Sequence, residues 1–269
     1  MAVRLRYKRW SLEGVPVLFS NSFPKSGTHL LTQVLGGFTS LGPVVESGLP
    51  AIVTFVGDSG EARPLSAILR DLNRLLPGDI GYGHVHARPE IVQALSRDGV
   101  APFFILRDPR DVVVSHVYYI TEHQSTHVHH RYYRDTLNDF DQRLRASIQG
   151  MPDEGLLFPD VAKRFEPYLG WLEVPQALVL RYEDFIEQKR LTLGRIFDHT
   201  IRAGFPSVID REQAIERLAS NIDPKRSPTF RSGKIGEWRK AFANQHKQLF
   251  KELAGDLLIR LGYEKDYDW

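Results

Sequence analysis

Four short runs of apolar residues, 15–19, 80–85, 102–106 and 177–180, are bounded by glycine, proline or charged residues. Runs this short, without polar alternation, predict strands buried on both faces, as in a parallel sheet. Between them apolar residues recur every three to four positions. Leu30, Leu31, Val34, Leu35 and Phe38 predict a helix over 28–41, and Ile91, Val92 and Leu95 predict one over 89–97 with Gly99 as its stop. Leu137, Phe140, Leu144 and Ile148, followed by Gly150, predict a third helix; Val161, Phe165, Leu169 and Leu172 predict a fourth. Leu249, Leu253, Leu257 and Leu261 predict a single closing helix that stops at Gly262. The stretch 42–78, with scattered Gly and Pro, reads as a loop with one helix around 65–76. Strands alternating with helices give an α/β fold, expected as one domain over 1–269 with a central parallel sheet flanked by helices. Ligands of such sheets sit at the carboxyl ends of the strands, so the residues that follow each strand are where chemistry is sought.

Composition narrows the class without choosing a partner. The 269 residues are 42% hydrophobic and 25% charged, which excludes collagen-like, disordered and disulfide-stapled chains. Lys and Arg number 35 against 33 Asp and Glu, a net charge of +2. That balance is too even for a nucleic-acid or acidic-membrane partner, so anion chemistry must come from local clusters. There is no cysteine, which removes disulfides, thiolate zinc sites and a cysteine nucleophile, and fits a reducing compartment. The basic stretch 1–10 is not followed by an apolar run long enough for a signal peptide or a membrane span. The expectation is a soluble cytoplasmic protein. Neither internal repeats nor low-complexity segments occur.

Three segments carry candidate chemistry. After the first strand stands Ser20-Asn21-Ser22-Phe23-Pro24-Lys25-Ser26-Gly27-Thr28-His29, leading into a helix. Free N–H groups at a helix start, a lysine and two hydroxyls make an anion site. The Walker A pattern does not fit, because Lys25 precedes the only glycine. An N-capped helix with an exposed lysine is the plain alternative. After the third strand stands Arg107-Asp108-Pro109-Arg110-Asp111, with a helix starting near Arg110 and Ser115 about two turns into it. Arg107 and Ser115 suit a shared anion; alternatively Asp108 and Asp111 pair with Arg107 and Arg110 as a structural knot. Near the C-terminus, Phe230-Arg231-Ser232-Gly233-Lys234-Ile235-Gly236-Glu237-Trp238 is a glycine-bearing basic loop of the kind that wraps phosphate.

Together these segments resemble the sulfotransferases that use 3′-phosphoadenosine-5′-phosphosulfate (PAPS). Pro24-Lys25-Ser26-Gly27-Thr28 looks like the family's 5′-phosphosulfate loop, and Arg107 through Ser115 like its 3′-phosphate motif. Arg231 through Trp238 looks like its Arg-Lys-Gly-x-x-Gly-Asp-Trp signature, and Tyr182-Glu183-Asp184 like its Tyr-Glu-Asp element. The matches run in family order from about 19 to 242. The resemblance implies a P-loop-like fold, PAPS as cofactor, and transfer of a sulfuryl group to a hydroxyl or amine of a small-molecule acceptor, without a metal. It implies that Lys25, Ser26, Gly27 and Thr28 hold the 5′-phosphosulfate, with His29 next to them in the cofactor site. Arg107, Ser115, Arg231 and Gly233 would hold the 3′-phosphate, Ser232 would line the cofactor site with one 3′-phosphate contact fewer than the usual Lys, and Tyr182 would contact the nucleotide. Four positions depart from the pattern: Leu30 stands where a stacking Trp is usual, His29 where a small hydroxyl or amide residue is, Ser232 where Lys is, and Tyr82 where many members have a second Lys.

By the same resemblance the general base is a histidine before the arginine motif. Gly83-His84-Val85-His86 offers two, and the family register favours His84 with His86 second. In an extended strand both would point to one face. Lys25 would meet the charge on the leaving oxygen, and a histidine neutral near pH 7 would take the acceptor's proton. The stretch 118–133 holds His123, His127, His129 and His130 among four tyrosines. Its spacing is poor for a metal and suits a mobile wall of the acceptor pocket. Rival readings are a kinase-like phosphotransferase and an inactive nucleotide-binding relative. The family's Lys-x-x-x-Thr-Val-x-x-x-Glu dimer motif does not occur near the C-terminus, so oligomeric state stays open.

Overall fold

In the computed structural model the first strand, β1 (Val17–Ser22), continues past the end of the apolar run at Phe19 and takes in three polar residues. The structure describes residues 11–57, 59–151, 158–227 and 231–269. The basic stretch 1–10 and Phe230 lie outside them. β1 pairs in parallel with β4 (Asp79–His84) on one side and β5 (Val100–Leu106) on the other. A strand bonded on both sides satisfies its backbone in the sheet, so polar side chains at its tip are buried with it and must find partners of their own. Ser20, Asn21 and Ser22 are all buried, which a search for apolar runs does not detect.

β6 (Leu178–Arg181) pairs with β5, while the two-residue strands β2 (Val45–Glu46) and β3 (Ile52–Val53) follow one another along β4. Among the described residues the sheet has the order β2-β4-β1-β5-β6, with β3 also on β4, and every pair is parallel. The predicted α/β class and its central parallel sheet are therefore present. β2 and β3 fall in the stretch read as loop, because two residues show no periodicity. The chain leaves β1 toward β2 and β4, and leaves β5 toward β6. The carboxyl ends of β1 and β5 thus flank the point where ligands of open α/β sheets sit.

Among the described residues the α-helices are α1 (Thr28–Gly37), α2 (Leu65–Leu72), α3 (Pro89–Leu95), α4 (Pro109–Tyr118), α5 (Phe140–Gln149), α6 (Val161–Leu169), α7 (Tyr182–Glu187), α8 (Lys189–Arg202), α9 (Arg211–Ser220), α10 (Trp238–Ala241), α11 (Asn244–Ala254) and α12 (Leu257–Arg260). The chain separates into two compact units. The first, within 11–54, 63–106 and 169–227, contains the sheet. On one face Leu18, Phe103, Ile105 and Leu180 meet Leu31 and Leu35 of α1, Ile196 of α8 and Leu218 of α9. Each buried side chain of this size contributes about 1.5–3 kcal/mol of transfer free energy. Phe19 and Phe104 alternate to the opposite face, where Phe104 stacks on Trp171 at 6.4 Å.

Gly83 lets β3 approach the end of β4. A Cβ there would stand 2.0 Å from the Ile52 carbonyl oxygen. Gly83→Ala is expected to displace β3 and lower stability by about 1–3 kcal/mol, read as an earlier midpoint in urea. An unchanged midpoint would refute this placement of β3.

The second unit, within 55–62, 107–168 and 228–269, contains α4, α5, α10, α11 and α12. Asp108 caps α4 by accepting from Arg110 N–H at 2.9 Å, with Pro109 in the first turn. The single closing helix expected from four leucines is two helices, α11 and α12, broken at Gly255 with φ +41°. Leu253 is exposed, so the four do not share one buried face. No described helix is long and apolar enough to cross a membrane.

Candidate active site

The tip of β1 organises the first unit. Asn21 Nδ2 donates to the Val85 carbonyl at 3.0 Å, and Val85 N–H donates to Asn21 Oδ1 at 2.9 Å. Trp171 Nε1 adds a bond to the same carbonyl at 2.9 Å. These side chains fix the backbone just past the end of β4. Ser22, the next residue of β1, reaches both Thr28 and His84: its Oγ lies 2.8 Å from Thr28 Oγ1 and 3.1 Å from His84 Nδ1.

The decisive contact is a backbone one. His84 Nδ1 lies 2.9 Å from the Ser22 carbonyl oxygen, which only accepts. Nδ1 therefore carries the proton, and the neutral ring keeps its lone pair on Nε2. Burial holds the imidazole below the ordinary histidine value despite the Ser22 bond, and the nearby His29 and Lys25 push the same way. His84 is thus a neutral ring of fixed tautomer with a basic Nε2.

His86 differs. β4 ends at His84, so the two histidines do not share one strand face as expected. The His86 N–H donates to Thr54 Oγ1 at 3.1 Å. Burial and then Arg88 lower its ring to about 4.

Between β1 and α1 the turn 23–27 takes an unusual path. Lys25 has φ +69° and Gly27 φ +99°. A left-handed lysine is uncommon, and such strain clusters where backbone N–H groups are turned toward a ligand. Gly27 is required twice over, since a Cβ would also stand 2.7 Å from Tyr182 Cδ2. Tyr182, buried at the start of α7, therefore packs directly on the turn. Ser26 is fully buried and its Oγ has no partner among the described residues. The first turn of α1 carries no acidic side chain. Left-handed backbone, an orphaned hydroxyl, a lysine and an uncompensated helix start form a donor set that fits an anion. His29, half-buried in that turn, has its ring lowered by burial and then by Lys25. Leu30 packs against the hydrophobic core and so is not a stacking platform.

In the second unit Asp111 is the organising residue, and sequence reading gave it no role beyond a knot. The pairs of that knot are present. Arg107 Nη2 donates to Asp111 Oδ2 at 3.2 Å, and Arg110 takes both Asp108 oxygens, at 3.0 Å from Nε and 2.8 Å from Nη2. Arg110 also meets Glu264 at 2.5 Å and lies over the rings of Trp238 and Trp269 at 3.8 and 4.6 Å. It is consumed by structure. Asp111 does more: it accepts from Gly236 N–H at 2.7 Å and Trp238 N–H at 2.9 Å. Arg107 Nη2 also donates to the Lys234 carbonyl at 2.8 Å. The arginine motif and the C-terminal loop are thereby one assembly, with Gly233 and Gly236 at positive φ. Arg231 lies over the Tyr118 ring at 4.3 Å and pairs with Glu237, and Ser232 Oγ donates to Glu237 at 2.8 Å. Ser115 is on α4, half-buried.

The stretch 118–133 is not a plain surface loop. Tyr119–His123 and Tyr132–Thr136 form π-helical turns, and His129 and Tyr133 are buried. His116 stacks on Phe158 at 4.7 Å and bonds Ser147 Oγ at 2.9 Å, with His127 and His129 packed alongside. Among the described residues no three His, Asp or Glu side chains come together as a metal site.

No protein-family model matches the chain, and no curated protein matches it in sequence. Solved structures do. Retinol dehydratase in complex with androsterone and the inactive cofactor PAP is similar with a TM-score of 0.58 and 18% identity, over 90% of this chain and 80% of that one. Retinol dehydratase with retinol and PAP gives 0.58 and 18%, over 90% and 81%. The mouse sulfotransferase SULT7A1 with PAP gives 0.57 and 19%, over 95% and 89%. At this identity the likeness establishes a shared fold.

Proposed function

We propose that this chain is a sulfotransferase that moves a sulfuryl group from PAPS to a hydroxyl or amine of a small-molecule acceptor. The observation that carries the reading is His84, a neutral histidine with Nδ1 anchored on Ser22 and Nε2 left basic, in the same unit as the left-handed Lys25 turn. Lys25, Ser26, Gly27, Thr28 and His29 hold the 5′-phosphosulfate, with Tyr182 packed on the turn that does so. Arg107, Ser115, Arg231, Ser232 and Gly233 hold the 3′-phosphate. PAPS, when bound, supplies an activated sulfuryl group. His84 Nε2 accepts the acceptor's proton, and Ser22 keeps the ring from turning. Lys25 stabilises negative charge at the departing oxygen, a part that fixed cations and N–H donors fill for sulfuryl transfer. The similar structures that hold androsterone or retinol together with PAP support a small-molecule acceptor.

Calorimetry with PAP, the desulfated product, tests this. PAP without metal is expected to bind in the micromolar range or tighter, near −8 kcal/mol on the scale of roughly −8.2 for 1 μM. Arg107→Ala is expected to weaken it by about 2–5 kcal/mol. Binding of ATP with Mg²⁺ in place of PAP would move a phosphotransferase to first place. PAP binding without transfer to any of a broad set of alcohols, phenols and amines would indicate an inactive relative.

A further inference from the structure

The C-terminal loop carries one more carboxylate than its backbone uses. Asp111, whose side chain is 0% exposed, already fixes the loop through Gly236 and Trp238. The Glu237 carboxylate instead closes on Arg231 and Ser232, and both donors converge on its Oε2. A guanidinium and a hydroxyl aimed at one oxygen is the donor arrangement of a phosphate oxygen. Tyr118 beneath the Arg231 guanidinium fixes its plane. The two members of this pair are 28% and 20% exposed, so Glu237 is free to swing into water, as buried Asp111 is not.

From this geometry we infer that Glu237 is an internal stand-in for a phosphate. It holds Arg231 and Ser232 in the ligand-free loop, and a ligand phosphate monoester displaces it. The inference rests on the function proposed above and adds a residue that holds down affinity for the 3′-phosphate. Two anions do not share one pair of donors, so binding requires the open loop, and apparent affinity falls by the fraction of chains in which it is open. A nucleotide without a 3′-phosphate has nothing with which to displace Glu237, and its affinity does not depend on that residue. Ser232 sharpens the effect: a hydroxyl brings no charge that would offset the carboxylate.

The test compares the parent chain with Glu237→Gln. By calorimetry the variant should bind PAP about tenfold tighter, with AMP unchanged. Hydrogen exchange of the ligand-free protein should be faster at 232–236 in the variant. Glu237→Ala should act in the same direction and serves if the glutamine variant does not fold. PAP affinity that is unchanged or weaker, or equal gains for PAP and AMP, overturns the inference while the parent's PAP binding leaves the sulfotransferase reading standing. Faster exchange with no PAP binding by either protein rejects that reading and the displacement with it. Unchanged exchange rejects the clamp whatever nucleotide binds.

Discussion

Replacing His84 by alanine is expected to lower kcat by about 10²–10⁴-fold, with PAP bound nearly as before. The expectation follows from where the ring is anchored. The Ser22 carbonyl takes the Nδ1 proton at 2.9 Å, so Nε2 is the only basic nitrogen of the neutral ring. His86→Ala is the control. Its ring, lowered to about 4, is a weak base at neutral pH, and the variant should keep most of its activity. The reverse result, a dead His86 variant and an active His84 variant, would reassign the base. The pH profile gives an independent check. Burial favours the neutral form of His84, and the neutral form is the active one. Activity should therefore be level through neutrality and fall on the acid side, at a pH below the ordinary histidine value near 6.5. A decline that begins above that value would mean that the titrating base is not a buried histidine.

The sequence was most informative where a turn follows a strand and least where burial is polar. β5 and the Asp108-Pro109 start of α4 were readable because an apolar run, a cap and a proline coincide. Lys25 and Gly27 were readable as a turn, although nothing in the sequence signals that Lys25 is left-handed; only the chain path between β1 and α1 imposes that. Ser20, Asn21 and Ser22 read as loop because they are polar, yet they complete β1. That polarity conceals Ser22 as the residue that orients His84. The available signal was its place at the carboxyl end of a strand, beside a second strand ending in histidine. The closing leucines misled for the opposite reason: their spacing is regular, but Gly255 breaks the helix and turns Leu253 outward. Asp111 is legible as an ion-pair partner of the arginines, but its hold on the C-terminal loop carries no signal, because Gly236 and Trp238 are bound through backbone N–H groups, and backbone groups are the same whatever the residue.

Asp111 is for that reason the site of the second large effect. Asp111→Ala is expected to lower stability by about 3–5 kcal/mol, the penalty for removing one partner from a buried ion pair. At this chain length that corresponds to roughly 10 °C in Tm. Where the variant remains folded, PAP affinity should fall by about 100-fold or more, an effect of roughly 3 kcal/mol. Three groups lose their acceptor together. Arg107 loses its carboxylate, and the Gly236 and Trp238 N–H groups lose the acceptor that holds them. Each buried donor left unsatisfied costs about 1–3 kcal/mol. The loop bearing Arg231 and Gly233 is then no longer fixed to the segment between β5 and α4 that bears Arg107. Asp111→Asn separates the two roles. One amide oxygen still accepts, so stability should be recovered in part. The amide nitrogen cannot accept from Arg107 or a second N–H, so binding should remain weak. A thermal melt and a PAP titration on both variants decide the matter. Parent-like melting and parent-like PAP binding in Asp111→Ala would show that the arginine motif and the C-terminal loop do not depend on this carboxylate.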